Sequence, residues 1–89
     1  MTEITTTFGV TVRFFAAARA AAGVDALSLT LRQGATMSDL VSELSGQSEE
    51  LGLVLRKCSF LCDGVAVRGD DTVLMGARTV EVLPPFSGG

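Results

Sequence analysis

A chain of 89 residues makes one domain, and at that size it buries only about 60–65% of the surface its unfolded form exposes, too little for a deep catalytic pocket beside a core. The net charge is −3 and the seven basic residues are scattered, so no basic face exists to displace counterions from nucleic acid. Histidine, tryptophan and tyrosine are all absent, which removes the commonest general base and the commonest zinc ligand together.

The charged fraction of 19% lies below the usual level of about 25%, which leaves some apolar surface for a partner. No apolar run approaches the roughly 20 residues of a membrane span, and the start MTEITTTFG has no basic stretch ahead of an apolar one. These features point to a cytoplasmic chain with neither a nucleic-acid nor a membrane partner.

Residues 1–7 precede any pattern and are expected to fray. From Phe8 the chain alternates: Phe8, Val10, Val12 and Phe14 share one side, and Thr11, Arg13 and Phe15 the other. That is a half-buried strand. AAARAAAG follows, a short helix ended by Gly23. In DALSLTLR, Leu27, Leu29 and Leu31 share the inner face of a second strand. Thr36 is placed to cap the main helix, with Asp39 at its third position near the positive end of the helix dipole. Met37, Leu40, Val41 and Leu44 then recur at i, i+3, i+4 and i+7, an amphipathic stripe facing a sheet. Residues 46–50 are expected as a loop and LGLVLRK as one further helical turn. Three short β pieces close the chain: SFLCD, VAVR after the Asp63-Gly64 turn, and TVEVL. The order predicts an α+β domain over residues 8–83 in which one mixed sheet wraps a single main helix. Its first and last strands are the most apolar, and they are expected as central, parallel neighbours.

Cys58 and Cys62 are not spaced as C-x-x-C, and no histidine or further cysteine completes a metal site. On one strand they would sit about 13 Å apart, beyond disulfide reach. Two small buried side chains, with no bound metal or cofactor, is the expectation.

The ending LPPFSGG gives a core nothing to pack. Read as a projecting tail over residues 84–89, it has chemical sense. Pro84 and Pro85 hold φ near −65° and keep the segment extended, which limits the entropy lost when it is threaded into a partner. Gly88 and Gly89 carry no Cβ, so the backbone passes through a narrow channel and Gly89 offers an unobstructed carboxylate. Six residues from Pro84 through Ser87 to Gly89 reach about 20 Å. Phe86 either anchors in a partner pocket, where truncating an aromatic costs about 2 kcal/mol or more, or folds back onto the sheet.

VTVRFFAAARAAAG, GATMSDLVSEL and LPPFSGG, in this order, resemble the MoaD family of ubiquitin-like sulfur carriers, the small subunits of molybdopterin synthase; the resemblance covers about residues 9–89. It implies a ubiquitin-like β-grasp fold. It also implies that Gly89 is adenylated by a ubiquitin-activating-type (MoeB-like) enzyme that uses ATP and is then converted to a thiocarboxylate with sulfur from a donor. The tail would next enter the large (MoaE-like) synthase subunit and pass its sulfur to a cyclic pyranopterin. Phe15, Arg19 and Leu83 match family positions that contact those partners. For Phe15 a plain core role stands beside that reading, and for Arg19 a solvated surface role. Where the family has an acidic Gly-Asp turn before the last strand, this chain has Met75-Gly76-Ala77-Arg78, so no charged contact is carried over there. A carrier for cysteine or thiazole synthesis, also ending in Gly-Gly, is the nearest alternative. A β-grasp interaction module without terminal chemistry is the alternative of a different class. A free-standing enzyme would need a nucleophile and base that this chain lacks.

Overall fold

The computed structural model describes residues 6–74 and 76–85. Five strands and three helices follow in the order β1 (Thr7–Phe14), α1 (Ala16–Ala22), β2 (Ala26–Arg32), α2 (Met37–Ser45), α3 (Glu49–Leu55), β3 (Ser59–Cys62), β4 (Val65–Ala66) and β5 (Thr79–Leu83). The sheet order is β2-β1-β5-β3-β4. β1 runs parallel to β5, and the other neighbours are antiparallel. The first strand and the last are therefore central and parallel, as their apolar character predicts. Such a mixed sheet with its helices packed on one face is the α+β, ubiquitin-like β-grasp arrangement.

Alternation decides which face is covered. Val10, Val12 and Phe14 of β1 and Val80 and Val82 of β5 are buried against Met37, Leu40 and Leu44 of α2 and Leu51 and Leu55 of α3. The described core holds no buried polar or charged residue. Its cohesion is therefore hydrophobic burial, each fully enclosed aliphatic side chain contributing about 1.5–3 kcal/mol.

α2 begins where the sequence places it. Thr36 Oγ1 accepts from the Asp39 amide at 3.2 Å, and the Asp39 carboxylate accepts from the Thr36 amide at 2.8 Å. This reciprocal box satisfies two donors. The amides of Met37 and Ser38 donate to the carbonyls of Thr72 and Asp70 at 2.9 and 2.8 Å. The loop carrying Asp70 and Asp71 thus serves as a backbone cap for the main helix.

Four expectations need correction. β1 starts at Thr7, and the Thr6 carbonyl accepts from the Gln33 amide at 3.0 Å, so order begins before Phe8. The loop expected over residues 46–50 ends early: Ser48 Oγ accepts from the Leu51 amide at 3.2 Å and starts α3 at Glu49. The one further turn expected at LGLVLRK is a seven-residue helix that buries its own pair, Leu51 and Leu55, beside the main helix. Cys58 and Cys62, expected as buried, are half-buried, and Cys58 sits just before β3 with its thiol donating to the Val54 carbonyl of α3 at 3.2 Å. The Asp63-Gly64 turn forms as expected, Cys62 opposing Val65 and both turn residues at positive φ, 49° and 86°, the type I′ geometry suited to a twisted hairpin.

Candidate functional site: the tail base and the open sheet face

The face of the sheet away from the helices carries the complementary half of each alternation. On β1 these residues are Thr11 and Arg13, on β5 Thr79, Glu81 and Leu83, on β3 Ser59 and Leu61. Parallel register pairs Arg13 with Glu81 and Phe14 with Val82. One further step sets Phe15 beside Leu83. Phe15 keeps extended dihedrals, φ −127° and ψ 150°, while acting as the N-cap of α1, so its ring stays on the open side. It belongs neither to the buried core nor to the half-buried side chains packed on that core. The half-buried Phe15 and Leu83 therefore form an apolar patch at the end of the sheet from which the tail leaves, with exposed Ser59 opposite Leu83 on β3 and Leu61 opposite Glu81.

Arg13 and Arg19 frame this patch. The Arg13 guanidinium sits 5.6 Å from the centroid of the Phe15 ring, a cation–π contact that covers one face of the aromatic. Arg19 pairs with Asp25 across the turn after α1, with both side chains largely exposed. Such a pair adds little stability and leaves the guanidinium free to exchange partners. Arg13, Phe15, Ala16, Arg19 and Asp25 line a cleft of about 260 Å³. Ala16, one of the residues lining it, has φ 50°, a left-handed conformation that costs a non-glycine residue about 1–2 kcal/mol. That turn redirects the chain from β1 into α1 and presents Phe15.

Leu83, Pro84 and Pro85 follow in sequence at the tail base, Leu83 and Pro84 half-buried and Pro85 exposed. Phe86, Ser87, Gly88 and Gly89, the expected threading and reacting residues, lie outside the described residues. The structure thus brings Phe15 and Leu83 together on one face and holds Arg19 beside them through Asp25. It adds Arg13 and Asp25, which the sequence alone does not single out. Arg13 was legible as an outward residue sharing its side of β1 with Phe15; Asp25 joins the site across the turn after α1.

A second missed residue acts one step away. Asp63, in the β3–β4 turn, accepts from the amides of Arg78 at 3.1 Å and of Thr79 at 2.9 Å. Its own amide donates to the Thr79 carbonyl at 2.8 Å. β5, which carries Leu83 and the tail, is pinned at its start by this carboxylate.

Cys58 and Cys62 are both free thiols of intermediate burial. Burial pushes the Cys58 thiol up, and burial followed by the neighbouring Asp63 charge pushes the Cys62 thiol up. Both stay protonated near neutrality, where the thiolate is the nucleophile. Among the described residues no group of three or more His, Cys, Asp or Glu is placed to hold a metal, and no helix is long and apolar enough to cross a membrane.

Comparison with known proteins places these features. The ThiS family model matches residues 12–89. The molybdopterin synthase sulfur carrier subunit of Chlamydomonas reinhardtii is 32% identical over 81 residues, covering 90% of this chain and 98% of that one. Among solved structures, a Pyrococcus furiosus protein assigned as subunit 1 of a molybdopterin converting factor superposes with TM-score 0.77 at 28% identity, over 88% of this chain and 98% of that one. The small archaeal modifier protein 1 of Methanosarcina acetivorans superposes with TM-score 0.78 at 26% identity, over 94% of this chain and 99% of that one. With its fold and nearly its whole length, through residue 89, matched in this way, the chain belongs to the ThiS family and is a homologue of the molybdopterin synthase sulfur carrier subunit.

Proposed function

We propose that this protein carries sulfur on its C-terminal glycine for molybdopterin synthesis. The Gly89 carboxylate attacks the α-phosphate of ATP on a ubiquitin-activating-type enzyme and releases pyrophosphate. The acyl adenylate that results has AMP as a good leaving group, which a free carboxylate lacks. Hydrosulfide delivered by a donor then displaces AMP, the C–S bond forming as the C–O bond to AMP breaks, which leaves the thiocarboxylate. The thiocarboxylate enters the large subunit of molybdopterin synthase, where its sulfur bonds to a carbon of the cyclic pyranopterin as an oxygen leaves that carbon, and hydrolysis of the resulting thioester leaves the sulfur on the pterin and returns the carboxylate to Gly89. The domain itself does no bond-making beyond its terminus. Phe15 and Leu83 give the partners an apolar footing, and the proline pair keeps the segment between footing and carboxylate extended.

The observation that carries this reading is the family match running through residue 89, so that it takes in the glycine pair as well as the folded domain. The test is intact-mass spectrometry after incubation with the adenylating enzyme of the same organism, ATP and a sulfur source. Exchange of one terminal oxygen for sulfur is expected, and it should vanish when Gly89 is deleted although the circular dichroism spectrum is retained. An unchanged mass, with a working carrier in a parallel reaction, would overturn the proposal.

The likeness to an archaeal modifier protein favours one second reading, in which the same activated carboxylate is passed to an amine of another protein. Isopeptide-linked adducts ending in the Gly88-Gly89 remnant, found by peptide mass mapping of native extracts, would distinguish it from sulfur transfer.

A further inference from the structure

On the helical side of the tail base, Ala17 of α1, Leu53 and Val54 of α3, Lys57, Pro84 and Pro85 line an open groove of about 400 Å³. We propose that this groove is a second docking surface, taken by the protein that encloses the tail through an apolar side chain set beside a carboxylate. The inference rests on the carrier reading above and extends it to a face that reading does not use.

Three observations support it. α3 buries Leu51 and Leu55, and the same helix turns Leu53 outward, 59% exposed. A single exposed leucine is ordinary, but this one is continuous with Ala17, Val54 and two prolines, none of which brings a hydrogen-bonding side chain. Charge then selects the occupant. Lys57 is the chain's only lysine and adjoins Arg56, the one place where two basic residues are neighbours in a chain of net charge −3. A groove that is apolar along its floor and cationic at one edge fits an apolar residue flanked by Asp or Glu. Continuity fixes who that occupant is. Pro84 and Pro85 are at once a wall of the groove and the start of the tail, so a protein that also holds these two prolines is brought against Leu53 and Lys57. Leu83, one residue earlier, faces the opposite side of the sheet with Phe15. The tail therefore leaves between two apolar surfaces, and an enzyme gripping both fixes its direction as well as its position.

The adenylating enzyme is the first such protein the tail meets, and carrier-dependent ATP–pyrophosphate exchange reads the encounter. Leu53→Ser and Lys57→Glu should each raise the KM for carrier about tenfold with kcat unchanged, while Lys57→Arg and the distant Val73→Ser stay within about twofold of wild type. All three positions are exposed, and unchanged thermal melts would confirm that the fold is intact. Wild-type KM in both Leu53→Ser and Lys57→Glu overturns the inference. So does an effect of Lys57→Glu alone, which would mark a steering charge and no seated side chain, or an equal loss in Val73→Ser. Absence of any exchange with the wild-type carrier would instead remove the carrier reading itself.

Discussion

Replacing Asp63 separates two contributions that meet in one residue. Its carboxylate receives the Arg78 and Thr79 amides, and its backbone holds φ 49° in the hairpin turn. A hydrogen bond to a charged acceptor contributes about 1.5–3 kcal/mol in a sheltered setting; these are exposed and can rehydrate, so about 1–2 kcal/mol for the two together is the working figure. Left-handed backbone costs alanine about 1 kcal/mol more than it costs glycine. Asp63→Ala should therefore lose about 2–3 kcal/mol, Asp63→Gly about 1–2, and Asp63→Asn, which keeps one acceptor and tolerates this φ, less than about 1. For a domain of this size each kcal/mol moves Tm by about 4–8 °C. Urea titrations followed by far-ultraviolet circular dichroism suit a chain with no tryptophan or tyrosine. Alanine no worse than glycine would refute the conformational contribution, and asparagine as costly as alanine would refute the acceptor account.

Thr36→Ala removes one half of the capping box and should cost about 1 kcal/mol in the same titration. Ala16, at φ 50°, should tolerate glycine with no loss, whereas Ala16→Val, with a branched Cβ, should lose about 2 kcal/mol. Both cysteine thiols are raised by burial, so iodoacetamide should modify them in the native protein with a midpoint above the ordinary value of about 8.5. The same shift has a definite sign for stability. The folded thiols keep protons that the unfolded chain gives up first, so the contribution is whole below the unfolded pKa and is lost as pH rises through the folded one. Alkaline melts of the wild type should fall more steeply than those of Cys58→Ala/Cys62→Ala.

Much of this architecture was legible because local rules and the global fold agree. The period-two pattern from Phe8 to Phe14, the Thr36/Asp39 box and the Asp63-Gly64 turn each depend on neighbours within a few residues. The pairing of β1 with β5 followed from their apolar character. α3 was under-read because Gly52 sits in its middle. A Cβ there would lie 3.3 Å from that of Ser45, so its absence lets α2 and α3 pack closely, a tertiary reason invisible in a propensity count. The Ser48 cap followed by Glu49 and Glu50 was the available signal. VAVR shortened to a two-residue strand because its pairing with β3 ends after Ala66, apart from one bond from the Val67 amide to the Phe60 carbonyl at 2.9 Å. At the site, the prolines were legible from the composition of the ending and Leu83 from the family resemblance, whereas Asp63 and Asp25 act across turns that no spacing rule encodes.

The strand leading into the tail is gripped on both sides, by β1 in parallel and by β3 in antiparallel register. Traction applied at the tail runs along β5, so both rows of hydrogen bonds are loaded in shear, all at once, and none can be peeled open one at a time. In the proposed carrier role, a domain handled by its end would thus be drawn into and out of a partner without unravelling. The Asp63 clasp at the far end of β5 supplies the counter-hold.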